Sequence, residues 1–515
     1  MSADSGSAAD SRSNTAAAGR CGPVYLDYAA TTPVFPGVAQ YMAQVLAMPP
    51  GNAAAAHAAG HAALQVIEAA RSQVAALLAA SPADIVFTSG ATESNNLAIT
   101  GTARAALARG LKPHVITLAT EHKSLLEPVR ALESAGVAVT LLKPDASGLL
   151  DPAVLAAAIR PNTCLVSLLH VNNETGVAQD IQALRAVCNA HNVPLHVDAA
   201  QSAGKLPLQL EGISLVSFTA HKLGGPQGIG ALYVAPSHRG SIEPLLRGGG
   251  HERGLRAGTL ATHQIAGFGM ACQIAAQWSP KEAIRISTLR ERLWNGLKDL
   301  PGALQNGHAT FRVPGILNVT FTGVEGESLF TRLNELTLST GSACNSRNGE
   351  PSYVLRALGR STQDAQSSLR FSLGWATTED DIDIAIGAVR RVHNELWASS
   401  PARPLPLEGW EGAQLAVGEA GSERLGTWVR FLARLENGQV AEARVQVYGC
   451  PHVTAACRHV LASISGHSPA ALVAGAAGNA GQWRATVDAP VEKLGAMLNI
   501  EDALSALGRS ITTRA

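Results

Sequence analysis

The chain of 515 residues has no excess of charge: 40 Lys and Arg balance 40 Asp and Glu. That removes any global electrostatic footprint for nucleic acid or an anionic membrane. Cysteine is scarce, with 7 residues, and no two stand at C-x2-C spacing. A compact zinc or disulfide framework is therefore not expected, and a reducing, cytoplasmic compartment is. No apolar run is long enough to span a bilayer. The first twenty residues lack the apolar stretch of a signal peptide. Asp4 and Asp10 argue against a mitochondrial presequence, which is poor in acids. Residues 1–22 read as a disordered tail. No internal repeat is found.

What is present is ordinary for a globular chain: 46% hydrophobic and 16% charged residues. The length suggests two to four domains. From Val24 onward, helices alternate with short apolar strands. Residues 62–80 fit an amphipathic helix. Asp84–Thr88, His114–Leu118, Thr163–His170 and Leu195–Asp198 read as buried strands. This is the pattern of a largely parallel, doubly wound sheet, whose strand tails bind ligands. A smaller α+β lobe follows, with strands expected around Leu317–Phe321 and Leu369–Leu373. Residues 399–420, rich in proline and glycine, read as a linker. Beyond them, Arg430–Leu435 and Glu442–Tyr448 read as strands joined at Asn437-Gly438, a strong hairpin signal. Residues 452–465 and 500–509 look helical.

Lysine is rare, so its placement is informative. Lys222 stands in Ser217-Phe218-Thr219-Ala220-His221-Lys222, which runs into a glycine-rich turn. A partly desolvated lysine beside hydroxyl and imidazole donors suits a Schiff base with an aldehyde cofactor. The bland alternative is a surface-loop lysine. Asp198 ends a strand, where burial costs several kcal/mol unless the carboxylate is paired. A protonated pyridine nitrogen would pair with it and make the ring an electron sink; a helix cap is the alternative. Ser89-Gly90-Ala91-Thr92-Glu93 joins a strand to a helix whose first N–H groups would bind phosphate. A plain capping box is its alternative. His57 and His61 stand four apart, with no third ligand beside them, so a helix surface is expected there. The three strand-end motifs, in this order, are improbable by chance.

These residues sit in longer motifs. They include YLDYAATTP at 25–33, TSGATESNNLAI at 88–99, EHKS at 121–124, HVNNETG at 170–176 and HVDAAQ at 196–201. Further on come TAHKLGGPQGIGALY at 219–233, GGGHERGLRAGT at 248–259, STGSAC at 339–344, EPSYVLRALG at 350–359 and SLRFSLG at 368–374. In them the chain resembles the group I cysteine desulfurases (IscS/NifS-like), within the class V aminotransferase family of fold-type I pyridoxal-phosphate enzymes. The resemblance implies a desulfurase over 23–398, with a large domain about 30–264 and a small lobe from 23–29 and 265–398.

It also implies roles. Lys222 forms the imine with pyridoxal 5'-phosphate. Asp198 pairs with the pyridine nitrogen and Gln201 with the ring hydroxyl. His122 stacks on the ring and shuttles protons. Asn173 contacts the ring hydroxyl or the substrate carboxylate. Ala91, Thr92, Thr219 and His221 surround the phosphate, and Thr259 reaches the phosphate of the other subunit in a homodimer. Arg370 grips the carboxylate of L-cysteine. Cys344, on a glycine-flanked loop, takes the sulfur as a persulfide, passes it to acceptor or scaffold proteins, and is a candidate ligand in iron–sulfur transfer. Cys164, Cys188 and Cys272 lie in apolar contexts and read as packing residues. Selenocysteine lyase, an aminotransferase and a non-catalytic scaffold are the rival readings. Cys344 speaks against the second, and the intact Lys222, Asp198, His122 and Arg370 against the third.

Residues 421–515 resemble a diverged IscU/NifU-like cluster scaffold, through GQVAEARVQVYGCP at 438–451 and VEKLGAMLNIEDALSAL at 491–507. Of three expected cluster cysteines only Cys450 is present. The third would fall at about Gly495, and its neighbouring histidine at Leu494. One thiolate does not satisfy a cluster. Three readings stand: Cys450 accepts persulfide; the unit is a docking or dimer-stabilising module; or a transient cluster is held across subunits with Cys457 or outside ligands.

Overall fold

The computed structural model describes residues 22–340, 350–403, 407–410 and 413–512. Cys344 lies outside the described residues. The first part of the chain contains β1 (Val24–Tyr25), α1 (Pro36–Leu46), α2 (Ala58–Leu77), β2 (Ile85–Thr88), α3 (Ala91–Ala108), β3 (His114–Leu118), α4 (Lys123–Ser134), β4 (Ala138–Leu142), α5 (Pro152–Ala158), β5 (Thr163–Leu169), α6 (Ile181–Ala190), β6 (Leu195–Asp198), β7 (Leu215–Thr219) and β8 (Gly230–Val234). Seven of these strands form one sheet in the order β2-β8-β7-β6-β5-β3-β4. Every neighbour pair from β7 to β4 is parallel. The exception is β8, antiparallel to both β2 and β7. The sheet is therefore mixed at one side.

Strand alternation explains the two layers. Ile85 and Phe87 point into a core shared with α2, α5 and α6, while Val86 points into another shared with α3 and α4. Helices cover both faces, as the apolar strands required.

The long α7 (Thr262–Leu297) bridges the two lobes. Phe268 and Cys272 sit in the large-sheet core, and Ile286, Leu289 and Leu293 in that of the small lobe. The small lobe adds β9 (Ala303–Gln305), β10 (Ile316–Phe321), α8 (Gly326–Thr331), β11 (Leu336–Thr337), β12 (Ser339–Thr340), α9 (Tyr353–Ala357), α10 (Thr362–Gln366), β13 (Ser368–Ser372) and α11 (Glu379–Trp397). Its antiparallel sheet runs β12-β13-β10-β9, and β1 pairs with β11. Val24 and Leu26 pack into the same core.

The C-terminal unit is a meander of β14 (Leu415–Ser422), β15 (Thr427–Glu436) and β16 (Gln439–Tyr448). Helices α12 (Pro451–Ser463), α13 (Pro469–Val473), α14 (Ala480–Thr486) and α15 (Leu494–Thr512) pack on it. The turn lies at Asn437 (φ 52) and Gly438 (φ 73), the two positive angles of a type I′ hairpin. The expected linker 399–420 needs correction. Trp410 is buried, its indole N–H donating to Glu442 at 3.0 Å, and Leu415 begins a strand. The stretch AVGEAGS hides that strand because Ala and Gly have low β-propensity.

Candidate functional site

The cleft lies at the C-terminal ends of the parallel strands, where the strand-end motifs converge. It encloses about 620 Å³ and is lined by Ala91, Thr92, His122, Asn173, Asp198, Gln201, Thr219, His221, Lys222 and Arg370, among others. These come from six separate motifs, spread over nearly 280 residues of sequence and brought together by the sheet. Thr259 is exposed and does not line the cleft of its own chain.

Asp198 ends β6 and is 2% exposed. Its Oδ1 accepts from the Ala200 N–H at 2.8 Å, and its Oδ2 from Asn95 Nδ2 at 2.6 Å. Burial raises its pKa to about 6, against the pull of those bonds and of the Lys222 charge. The carboxyl thus has neutral donors and no cation bonded to it, as a site for a protonated ring nitrogen requires. Asn95 Oδ1 and Gln201 Oε1 are buried with no hydrogen-bond partner among the described residues. Buried orphan acceptors are rare and call for a ligand or water. Lys222, in a single helical turn after β7, donates to the carbonyls of Ala29 and Ala30. At α3 the N-cap is Gly90, at φ 155, an angle that excludes a side chain without strain. No side chain caps this helix, and Glu93 instead accepts from the Ser89 N–H at 2.6 Å. The first-turn N–H groups at Ala91 and Thr92 suit an anion. An acid for a ring nitrogen, an amine for an aldehyde and a helix start for a phosphate therefore share one cleft. The residues fit pyridoxal phosphate.

His122 is the N-cap of α4. Its Nδ1 accepts from the Ser124 N–H at 3.1 Å and lies 2.8 Å from Ser124 Oγ. Asn95 Nδ2 donates to the same Oγ at 2.9 Å, so the Ser124 hydroxyl proton goes to His122. That assigns the imidazole proton to Nε2. Burial, then the Lys222, Lys123 and Arg370 charges, depress its pKa to about 4, so the ring is neutral at pH 7. His221 is depressed to about 4, chiefly by burial and then by Lys222 and Lys205.

Arg370, on β13, is 2% exposed. Its Nη2 donates to Asp27 Oδ1 at 2.7 Å and to Ser339 Oγ at 2.9 Å, and its Nη1 to the Asn173 carbonyl at 2.9 Å. Asp27 therefore holds a guanidinium that a substrate carboxylate would engage. Sequence reasoning quoted the motifs containing Asp27, Asn95, Ser124 and Glu174 but gave these residues no role. Asn95, Ser124 and Glu174 stand among polar neighbours in TESNN, EHKS and NNET, so no local signal marks them.

Cys188 and Cys272 are fully buried, and burial pushes the Cys188 thiol up to about 12. Cys164, half-buried, rises to about 11 for the same reason. Such thiols are inert packing groups. Cys450 (6% exposed) and Cys457 (0%) belong to the C-terminal core. No group of three or more potential metal-ligating side chains occurs among the described residues. His57 caps α2, its Nδ1 accepting from the Gly60 N–H at 3.2 Å. No helix among the described residues is long and apolar enough to cross a membrane.

Residues 24–384 match the family model described as Aminotransferase class-V. The cysteine desulfurase IscS of Serratia proteamaculans (strain 568) is 51% identical over 384 residues, which cover 74% of this chain and 95% of that protein. That of Tolumonas auensis is 50% identical over 393 residues, 75% of this chain and 96% of that one. Among solved structures, a NifS-like protein is 33% identical with a TM-score of 0.67, covering 73% of this chain and 99% of the other. SspA in complex with cysteine is 40% identical with a TM-score of 0.62, covering 68% and 98%.

Proposed function

From the premise that the chain belongs to the class V aminotransferases and is an IscS-like cysteine desulfurase, we propose that Lys222, Asp198, His122 and Arg370 work the cysteine and Cys344 receives its sulfur. The enzyme uses pyridoxal phosphate, acts on cysteine and hands sulfur to acceptor partners. When bound, the cofactor supplies an aldehyde that condenses with amines and a ring that takes up the electrons of a broken Cα–H bond.

The chain's own residues do the rest. Asp198 holds the ring nitrogen, Gln201 the ring hydroxyl, and the start of α3 with Thr92, Thr219 and His221 the phosphate. Asn173, beside Arg370, contacts the ring hydroxyl or the substrate carboxylate. Lys222 holds the cofactor and, once displaced by substrate, removes the α-proton. Arg370 binds the substrate carboxylate by its guanidinium fork, with Asp27 and Ser339 aligning it. His122 offers a proton at Nε2 and takes it back. The Cys344 thiolate attacks the substrate sulfur: an S–S bond forms, the C–S bond breaks with its electron pair going to the carbon side, Cβ takes up a proton, and alanine leaves. Thr259, exposed on its own chain, serves the phosphate site of a second copy, which makes the working unit a homodimer.

The single observation that carries this reading is the cation-free Asp198 carboxyl in the same cleft as Lys222 and Arg370. The test is Cys344→Ser. We expect unchanged cofactor absorbance and no alanine from cysteine; full alanine production would remove Cys344 from the role.

The C-terminal unit is a diverged IscU/NifU-like scaffold used for docking. The burial of Cys450 and Cys457 within its apolar core supports docking over cluster assembly. The cytoplasm, with its reduced thiols, is the compartment this reading requires.

A further inference from the structure

Cys344 lies between two described flanks, and both are bonded to residues in or next to the reaction cleft. Upstream, Ser339 Oγ donates to Asp27 Oδ1 at 2.9 Å and accepts from Arg370 Nη2 at 2.9 Å. Downstream, Ser352 Oγ donates to Glu174 Oε2. The next residue, Tyr353, donates its hydroxyl to the Glu121 carbonyl at 2.6 Å. Glu121 precedes His122, and Glu174 follows Asn173.

Glu174 is a carboxyl with no part in the reaction, yet it is 5% exposed, and Ser352 is 1% exposed. Burying such a group is costly without a partner. Its backbone is fixed from both sides. Its N–H donates to Asn172 Oδ1 at 2.9 Å, and its carbonyl accepts from Asn318 Nδ2 at 3.1 Å. The side chain is thus presented rigidly to Ser352, at the N-cap of α9, where Oγ also accepts from the Leu355 N–H at 3.1 Å. Serine capping alone needs no buried acid behind it. Arg370 and Lys123 face the carboxyl and favour its ionised form against burial.

We propose that Ser352 and Glu174 form a buried latch that fixes the downstream foot of the Cys344 segment to the substrate-binding turn, making both of them positioning residues for sulfur transfer. The inference rests on Cys344 as the sulfur-receiving thiol. A reacting atom displaced by about 1 Å forfeits on the order of a hundredfold in rate, so a shifted foot appears in the sulfur step. Cysteine binding at Arg370 keeps its bonds to Asp27, Ser339 and the Asn173 carbonyl, none of whose atoms the variants remove, and is spared.

The experiment is a double-mutant cycle on the full-length holoenzyme, with alanine formation as the readout. Ser352→Ala lowers kcat about tenfold, KM for cysteine stays within about twofold, and cofactor absorbance is unchanged. Ser352→Thr, which keeps the hydroxyl and the cap, restores kcat. Glu174→Met gives the same loss as Ser352→Ala, and the double variant loses no more than either. Losses that multiply would mean that Ser352 acts as a helix cap alone, and would overturn the latch. Wild-type kcat in Ser352→Ala, or a rise in KM with kcat unchanged, would do the same. If Glu174→Met does not fold, Ser352→Gly decides: glycine is tolerated at an N-cap but has no hydroxyl for Glu174, so a loss equal to that of Ser352→Ala upholds the latch and wild-type kcat overturns it. Cys344→Ser run alongside separates the two ideas: alanine formation in that variant would defeat the Cys344 reading, whatever Ser352 does.

Discussion

The catalytic body and the C-terminal unit bury different things. Around the cleft, Glu121, Glu174, Asp198 and Arg370 are all inside the protein. Among the described residues from 413 on, the buried polar side chains are Thr427 and Gln446 alone. The unit's charges stay at its surface, as in Arg430–Glu419 at 2.7 Å and Arg434–Glu442 at 3.7 Å. One region accepts desolvation cost to tune protonation, and the other packs apolar groups for stability. Its two sulfurs follow the second rule. The difference teaches where reactivity is expected, and three changes test it.

The largest effect belongs to Lys222→Ala. Removing the amine that holds the cofactor and moves the α-proton lowers alanine formation by about 10³-fold, about 4 kcal/mol of transition-state stabilisation. The visible cofactor absorbance is lost with it. Activity within tenfold of wild type would place the reactive amine elsewhere and break the comparison.

The next effect is in stability. Burial pushes the Glu174 carboxyl up to about 7 from an ordinary value of 4.5, against the opposing Ser352, Arg370 and Lys123. A group with a raised folded pKa binds more protons folded than unfolded between those two values. Its contribution is full below about 4.5 and is lost as pH rises through 7, on the order of 3 kcal/mol in all. Glu174→Gln removes that dependence. The melting temperature of the variant should therefore gain on wild type between pH 5 and pH 8. A constant difference across that range would show that the carboxyl does not titrate there.

Part of the cleft was legible because Asp198 ends an apolar strand and Lys222 and Thr92 closely follow one, where a polar residue has little packing reason to be. His122, Asn173 and Arg370, which is central in β13, came only with the family resemblance. Strand β8 was not read from the sequence: nothing in Gly230–Val234 states its direction, and the short return from β7 sets it antiparallel. Asp27, Asn95 and Glu174 stayed silent because their partners, Arg370, Asp198 and Ser352, lie far along the chain. Strand β14 was hidden by small residues whose place comes from packing against α15.

The smallest effect lies at the seam between the two regions. Ser328 Oγ donates to the Gly449 carbonyl at 3.0 Å, and the Val447 N–H to the Ser399 carbonyl at 2.9 Å. Lys493 Nζ pairs with Glu327 Oε2 at 3.0 Å, and its charge is favoured further by the neighbouring Cys450. Both ends of that pair are partly exposed, so Lys493→Ala should cost under about 1 kcal/mol of stability and leave kcat unchanged. The informative readout is where the sulfur rests after one turnover. A docking unit with a buried Cys450 gives no persulfide at that position, with Lys493 or without it. Persulfide at Cys450 that falls on Lys493→Ala would instead mean that the ammonium stabilises a receiving thiolate. The C-terminal interior would then hold one reactive sulfur, and the contrast with the cleft would fail at that residue.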